Sequence, residues 1–192
     1  SENPLEQEEG LHEVERAVDV AAALGARSIR VFRFNSPADN PTLIPRLAPW
    51  LRRAAEYAHR KNIRIGIENH RGPLVGHPQH CLELVRAVDA PNLGILYDPC
   101  NLLVQGADYR AAYHLLRPHI LHVHIKDGTS ALNSQKTTML GTGEIDIRWL
   151  LRALAEDGYT GDVMLEYEVE NVPVEIGLRQ WFDTFVQLAS EI

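Results

Sequence analysis

Five short apolar runs, each followed by an amphipathic stretch, constrain this chain more than any other feature. They cover residues 28–32, 63–69, 93–98, 120–126 and 162–167. They are rich in Ile, Val and Leu and read apolar for most of their length, as strands buried on both faces do. The intervening stretches carry apolar residues at helical spacing. One helix, over 11–25, precedes the first run with Val14, Ala17, Val18, Ala21 and Ala22 at helical spacing, and Gly25 is its expected stop. Helices are expected over 45–62 (Leu47, Trp50, Leu51, Ala54, Ala58 inward) and over 78–89 (Cys81, Leu82, Val85, Val88 inward). Three more are expected over 109–116, 147–157 and 174–190, the last with Leu178, Trp181, Phe185 and Leu188 inward. The acidic start, SENPLEQEEG, reads as a loop or a frayed entry into the first helix.

Regular βα alternation means a parallel sheet with right-handed crossovers, and so a doubly wound sheet or a (β/α)8 barrel. No GxGxxG follows the first strand and no Walker sequence is present, so no nucleotide cofactor is expected. A length of 192 residues suits one domain over 1–192. A formal charge of −7, from 26 acidic and 19 basic side chains, argues against a nucleic-acid partner, because phosphate contacts need clustered Lys and Arg. The two cysteines, Cys81 and Cys100, form no CxxC pair, so no disulfide framework is implied and the cytoplasm is the expected compartment. No apolar run approaches the roughly 18 residues of a membrane span, and the N-terminus lacks a signal-peptide core.

The polar residues fall at the ends of the runs. IGIE ends in Glu68, LYD in Asp98, LHVH in His124 and MLE in Glu166. In a parallel barrel all strand C-termini share one rim, so four such side chains can converge. One polar strand end is ordinary; four in successive units are not. Three carboxylates and an imidazole would repel or stay costly without a cation, and the set suits one divalent ion, Mn²⁺, Mg²⁺, Co²⁺ or Zn²⁺. His122 lies two residues before His124 and faces the same way. The strand-end position favours His124 as ligand and leaves His122 as a substrate contact or a core histidine.

At these residues the chain resembles the xylose-isomerase-like (β/α)8 barrels, in particular the sugar phosphate isomerase/epimerase group. The segments that carry the resemblance are GIENH (66–70), LYDPCN (96–101), HVHIKD (122–127), LGTGEID (140–146) and GYTGDVMLEYE (158–168). The resemblance implies a metal held by Glu68, Asp98, His124 and Glu166. It also implies that Glu68 and Glu166 act as acid and base, one removing a proton beside a carbonyl and the other returning it. The chain departs from the pattern at Asn101, where epimerase members often carry histidine. It also lacks three βα units before the first run. The expectation is therefore an incomplete barrel of about five βα units, either a C-terminal fragment of such a barrel or a truncated homologue that covers its open sheet edges by pairing with another chain, as in a homo-oligomer.

Other residues near these ends have bland and sharp readings. His70 is a substrate contact or a plain loop residue. Lys126 neutralises an anionic substrate or is a surface lysine. Asn69 and Asn101 orient substrate hydroxyls or cap helices. Gly141-Thr142-Gly143 forms an anion-binding concavity or simply a turn. Cys100 has no evident base and reads as packing, Trp50, Trp149 and Trp181 read as core, and Arg52-Arg53 as a solvated helix face.

The leading expectation is a metal-dependent isomerase or epimerase of a small sugar, sugar phosphate or related polyhydroxy carbonyl compound. A dehydratase of a cyclic polyol or dehydroshikimate-like acid comes second, since the family uses the same first proton abstraction. An endonuclease IV-like phosphodiesterase would need further His, Asp and Glu ligands and a basic rim. A non-catalytic remnant is the remaining reading, because five units leave part of the pocket unbuilt.

Overall fold

The structure is a computed structural model that describes residues 4–31, 40–72, 74–130 and 136–192. Five strands form one sheet in the order β1-β2-β3-β4-β5: β1 (Ser28–Val31), β2 (Arg64–Glu68), β3 (Leu93–Tyr97), β4 (Ile120–Ile125) and β5 (Asp162–Leu165). The helices are α1 (Pro4–Ala23), α2 (Ile44–His59), α3 (Pro78–Val88), α4 (Pro99–Val104), α5 (Tyr109–Leu116), α6 (Ile147–Glu156) and α7 (Val174–Ser190). The architecture is α/β, with five of the eight βα units that a closed barrel contains. The expected strand residue Phe32 lies outside the described residues. The chain divides into two compact units, residues 1–96 with 114–121, and residues 97–113 with 122–192.

In the first unit β2 is paired in parallel with β1 and β3, with Ile65 opposite Ile29 and Leu93, and Glu68 opposite Leu96. Leu51, Ala54, Ala55 and Ala58 of α2 and Leu84, Val85 and Val88 of α3 are buried, as are Ile65, Ile67 and Ile95 of the strands. The small α2 face lets that helix lie close to its neighbours. Buried Asn92 ties α2 to the entry of β2 by donating to the carbonyls of Ala55 (2.9 Å) and Ile63 (3.0 Å). Arg52 of the expected solvated pair does more: its guanidinium donates to Val88 O (2.7 Å) and Ala87 O (2.9 Å), closing the end of α3. Gly94 has no room for a side chain, since a Cβ there would run into His119 O and the Leu121 side chain.

In the second unit β4 and β5 are parallel, with His122 opposite Asp162 and His124 opposite Met164. The core gathers Tyr97, Leu102, Tyr113, Val123, Ile125, Leu150, Trp181 and Leu188. Tyr97, Tyr113 and Trp149 pack edge to face, at centroid distances of 5.7 Å and 5.6 Å. Asp146 caps α6 by accepting from Trp149 N at 2.9 Å.

The structure corrects three expectations. α1 begins at Pro4, so most of SENPLEQEEG is helix. A short helix, α4, starts immediately after Asp98, where no helix is expected between residues 89 and 109; Pro99 at its first position and Asp98 as cap are its signals. Leu178 is 42% exposed and belongs with Val174, Phe182 and Val186 to an outer apolar stripe of α7. The inner face turns on Gly177, Trp181 and Leu188. No helix among the described residues is long and apolar enough to cross a membrane.

Candidate metal centre

The second unit carries three of the four expected ligands, and local sequence places each. Asp98 follows the last residue of β3 in extended backbone (φ −120°, ψ 105°), and its Oδ1 accepts the Asn101 amide at 2.9 Å as the cap of α4. That bond commits one oxygen and aims the other. His124 is the next-to-last residue of β4, and Glu166 is the first residue after β5. The Glu166 amide still donates to Ile125 O at 3.0 Å, so the ladder holds its backbone although the strand proper has ended at Leu165. His124 Nδ1 lies 3.3 Å from Glu166 Oε2. The rings of His122 and His124 meet edge to face at 5.3 Å, as same-face residues two apart on a strand should.

Lys126 is buried, 4% exposed, and is not a surface lysine. Its ammonium lies 3.0 Å from Asp98 Oδ2, 2.6 Å from Glu166 Oε2 and 3.1 Å from Glu168 Oε2. Burial works against its charge, but Asp98 and Glu166 outweigh burial and push its pKa up. Burial raises Asp98 to about 6 despite Lys126 and the Asn101 amide, with the negative charge of Glu166 adding to the rise. Burial also raises Glu166, but hydrogen bonds from His124 and Lys126 more than offset it and hold this carboxyl well below the usual range. Asp98, Glu166 and Glu168 thus concentrate negative charge around the Lys126 ammonium.

Among the described residues of the second unit, Asp98, His124 and Glu166 form a group with the donor types that suit a metal ion. Within the second unit, Asp98, His124 and Glu166 each offer one ligand atom within 4.8 Å of the others'. Carboxylate oxygens with one imidazole nitrogen, largely shielded from water, fit a small divalent cation. Glu68 belongs to the first unit, where it ends β2 and is 1% exposed. Arg30 of β1 donates to its Oε2 at 3.3 Å. His70 also lies in the first unit, half-buried just after β2.

Asn101 is buried, and its amide and carbonyl serve α4: the N–H goes to Asp98 and the C=O accepts from Gln105 at 3.1 Å. Burial first, and then the charge of Asp98, pushes the Cys100 thiol up to about 12, which keeps it protonated and leaves it a packing residue. The backbone concavity at Gly141 and Gly143 exists, but its anion is the chain's own. Asp127 Oδ2 accepts from Gly141 N and Gly143 N, both at 2.9 Å.

Sequence reasoning overlooked Arg30, Glu168 and Asp127. Each had a signal: an arginine inside an apolar strand, a glutamate two residues beyond Glu166 and therefore on its face, and an aspartate directly after HVHIK and before a glycine.

The chain is 28% identical over 151 residues to an inosose dehydratase of Clostridium tetani, covering 69% of this chain and 51% of that one. It is 25% identical over 169 residues to the L-ribulose-5-phosphate 3-epimerase UlaE of Escherichia coli, covering 86% and 58%. The chain spans about half the length of the curated relatives it matches. Among solved structures, the IOLI protein with a bound zinc atom matches at a TM-score of 0.83 and 19% identity, over 100% of this chain and 73% of that one. A protein from Mycobacterium smegmatis in complex with magnesium matches at 0.79 and 18%, over 98% and 69%. The family model described as xylose isomerase-like TIM barrel matches residues 1–185, and this chain belongs to that family.

Proposed function

We propose that this chain holds one divalent metal ion through Glu68, Asp98, His124 and Glu166 and serves an enzyme that moves a proton beside the carbonyl of a small polyhydroxylated substrate. The observation that carries the reading is the convergence of Asp98, His124 and Glu166, with ligand atoms within 4.8 Å of one another in a largely buried setting. Glu68 as fourth ligand is supported by its burial and its place as the last residue of a parallel strand.

A divalent cation bound there would draw charge from the substrate oxygen and so acidify the neighbouring C–H. The protein's own part is to hold and move the proton. Glu166 is kept ionised by His124 and Lys126, so it is in the form that can accept one, and their hold lowers its basicity. Glu68, beside Arg30, is the candidate partner that returns it. Lys126, itself held by Glu168, fixes the Glu166 carboxylate, while His70, Asn101 and His122 are the candidate contacts for substrate oxygens.

Isomerisation or epimerisation is the first reading, supported by the likeness to an L-ribulose-5-phosphate 3-epimerase. Dehydration of a cyclic polyol is the second. It is favoured by the likeness to inosose dehydratases and by Asn101, which cannot shuttle a proton where a histidine could. Both begin with the same abstraction, so one experiment addresses them together. The protein with Mn²⁺ is incubated in deuterated water with a panel of ketoses, ketose phosphates and keto-inositols. Deuterium entering beside the carbonyl of one class supports the reading, and its loss in Glu166→Gln assigns the base. No exchange in any class, with metal bound, contradicts it.

A further inference from the structure

The buried carboxylate of Asp127 accepts from four backbone amides, and the chemistry above does not use it. It is 0% exposed. Its Oδ1 accepts from Gly128 N (2.8 Å) and Ile145 N (3.2 Å), and its Oδ2 from Gly141 N and Gly143 N (both 2.9 Å). Four backbone donors thus end on one side chain. The turn is built around it: a Cβ on Gly143 would run into Asp127 Oδ1 and the Gly128 carbonyl.

The same turn braces the chain leaving β4. Gly128 and Thr137 form an antiparallel bridge. Thr138 N donates to Asp127 O at 3.0 Å, and Glu144 N to Gly128 O at 2.8 Å. The turn is tied across to the chain leaving β5, where Thr137 Oγ1 donates to Glu168 O at 2.8 Å. Lys126, next to Asp127, meets Asp98, Glu166 and Glu168 where the chain leaves β4 along this path. β4 itself ends at Ile125, so beyond that residue the path is set by these loop contacts.

We propose that Asp127 is a positioning residue for the metal centre: by clamping the 137–145 turn it fixes the exit of β4, and with it Lys126 and the geometry of His124 and Glu166. This rests on the metal reading above. An outer carboxylate that orients a metal's surroundings typically changes affinity by about 10–100-fold. Asp127→Asn removes the negative charge and replaces one acceptor oxygen with a donor that faces backbone N–H groups.

The test is Mn²⁺ titration, with thermal unfolding in parallel, of wild type, Asp127→Asn, Gly143→Ala and Leu188→Ala. Leu188 is a buried residue of α7, so its truncation reports stability alone. The proposal expects Asp127→Asn and Gly143→Ala to bind Mn²⁺ about tenfold or more weakly. Leu188→Ala should bind like wild type despite a lower Tm. If Asp127→Asn does not fold, Gly143→Ala carries the test. Wild-type affinity in the clamp variants overturns the proposal, as does weakening in Leu188→Ala that matches its loss of Tm. A wild type that takes up no Mn²⁺ overturns the metal reading itself, and this role with it.

Discussion

Lys126 Nζ lies 2.6 Å from Glu166 Oε2, with Asp98 Oδ2 at 3.0 Å on the same ammonium. Removing it leaves two shielded carboxylates facing each other. Lys126→Met is expected to cost about 3–5 kcal/mol, the range for breaking a buried pair on one side, with the half-exposed Glu168 adding little. Urea unfolding without metal measures the loss. Metal at a hundredfold over its Kd should return about 2.7 kcal/mol in wild type, and at least as much in the variant.

Adjacent aromatic residues on α7 should respond in opposite ways. Trp181 is 0% exposed and packs edge to face on Tyr167 at 5.2 Å, whereas Phe182 is 57% exposed. Trp181→Ala is expected to cost about 3–5 kcal/mol. Phe182→Ala should stay within about 0.5 kcal/mol. Denaturation midpoints of the two variants check this directly.

The cysteines give a pH-dependent prediction. Burial pushes both Cys81 and Cys100 up to about 12. A thiol with a raised pKa stays protonated until the pH approaches that value, and only the thiolate reacts. Native protein at pH 8 should therefore label with a disulfide reagent far more slowly than protein in urea. Two thiols should titrate after unfolding. Rapid labelling of the native protein would show that one of them is open to solvent.

The strand ends were legible because two simple periodicities meet there. Apolar runs buried on both faces mark β2, β3 and β4, and a polar residue that closes such a run stands out, as Glu68, Asp98 and His124 do. Glu166 was found the same way although it lies just past β5. What escaped depends on distant pairing. The aspartate before a glycine is a local signal, but three of the four amides on Asp127 come from residues 14, 16 and 18 positions away, which that signal does not announce. Lys126 reads as a contact for an anionic substrate or as a surface lysine until three carboxylates are seen around it. Leu178 was placed inward because its spacing with Trp181 and Phe185 suits one stripe. The helix instead turns Gly177 inward, and Leu178 joins an apolar row on the other side.

The central claim is that this chain binds one divalent metal through its strand-end residues. The most direct measurement is metal content by elemental analysis after Mn²⁺, Co²⁺ or Zn²⁺ loading and desalting, for wild type and for Asp98→Asn and His124→Ala. The account predicts about one equivalent per folded chain, falling well below that in both variants while their circular dichroism stays native. A folded wild type that retains no metal, or variants that retain as much as wild type, would contradict it.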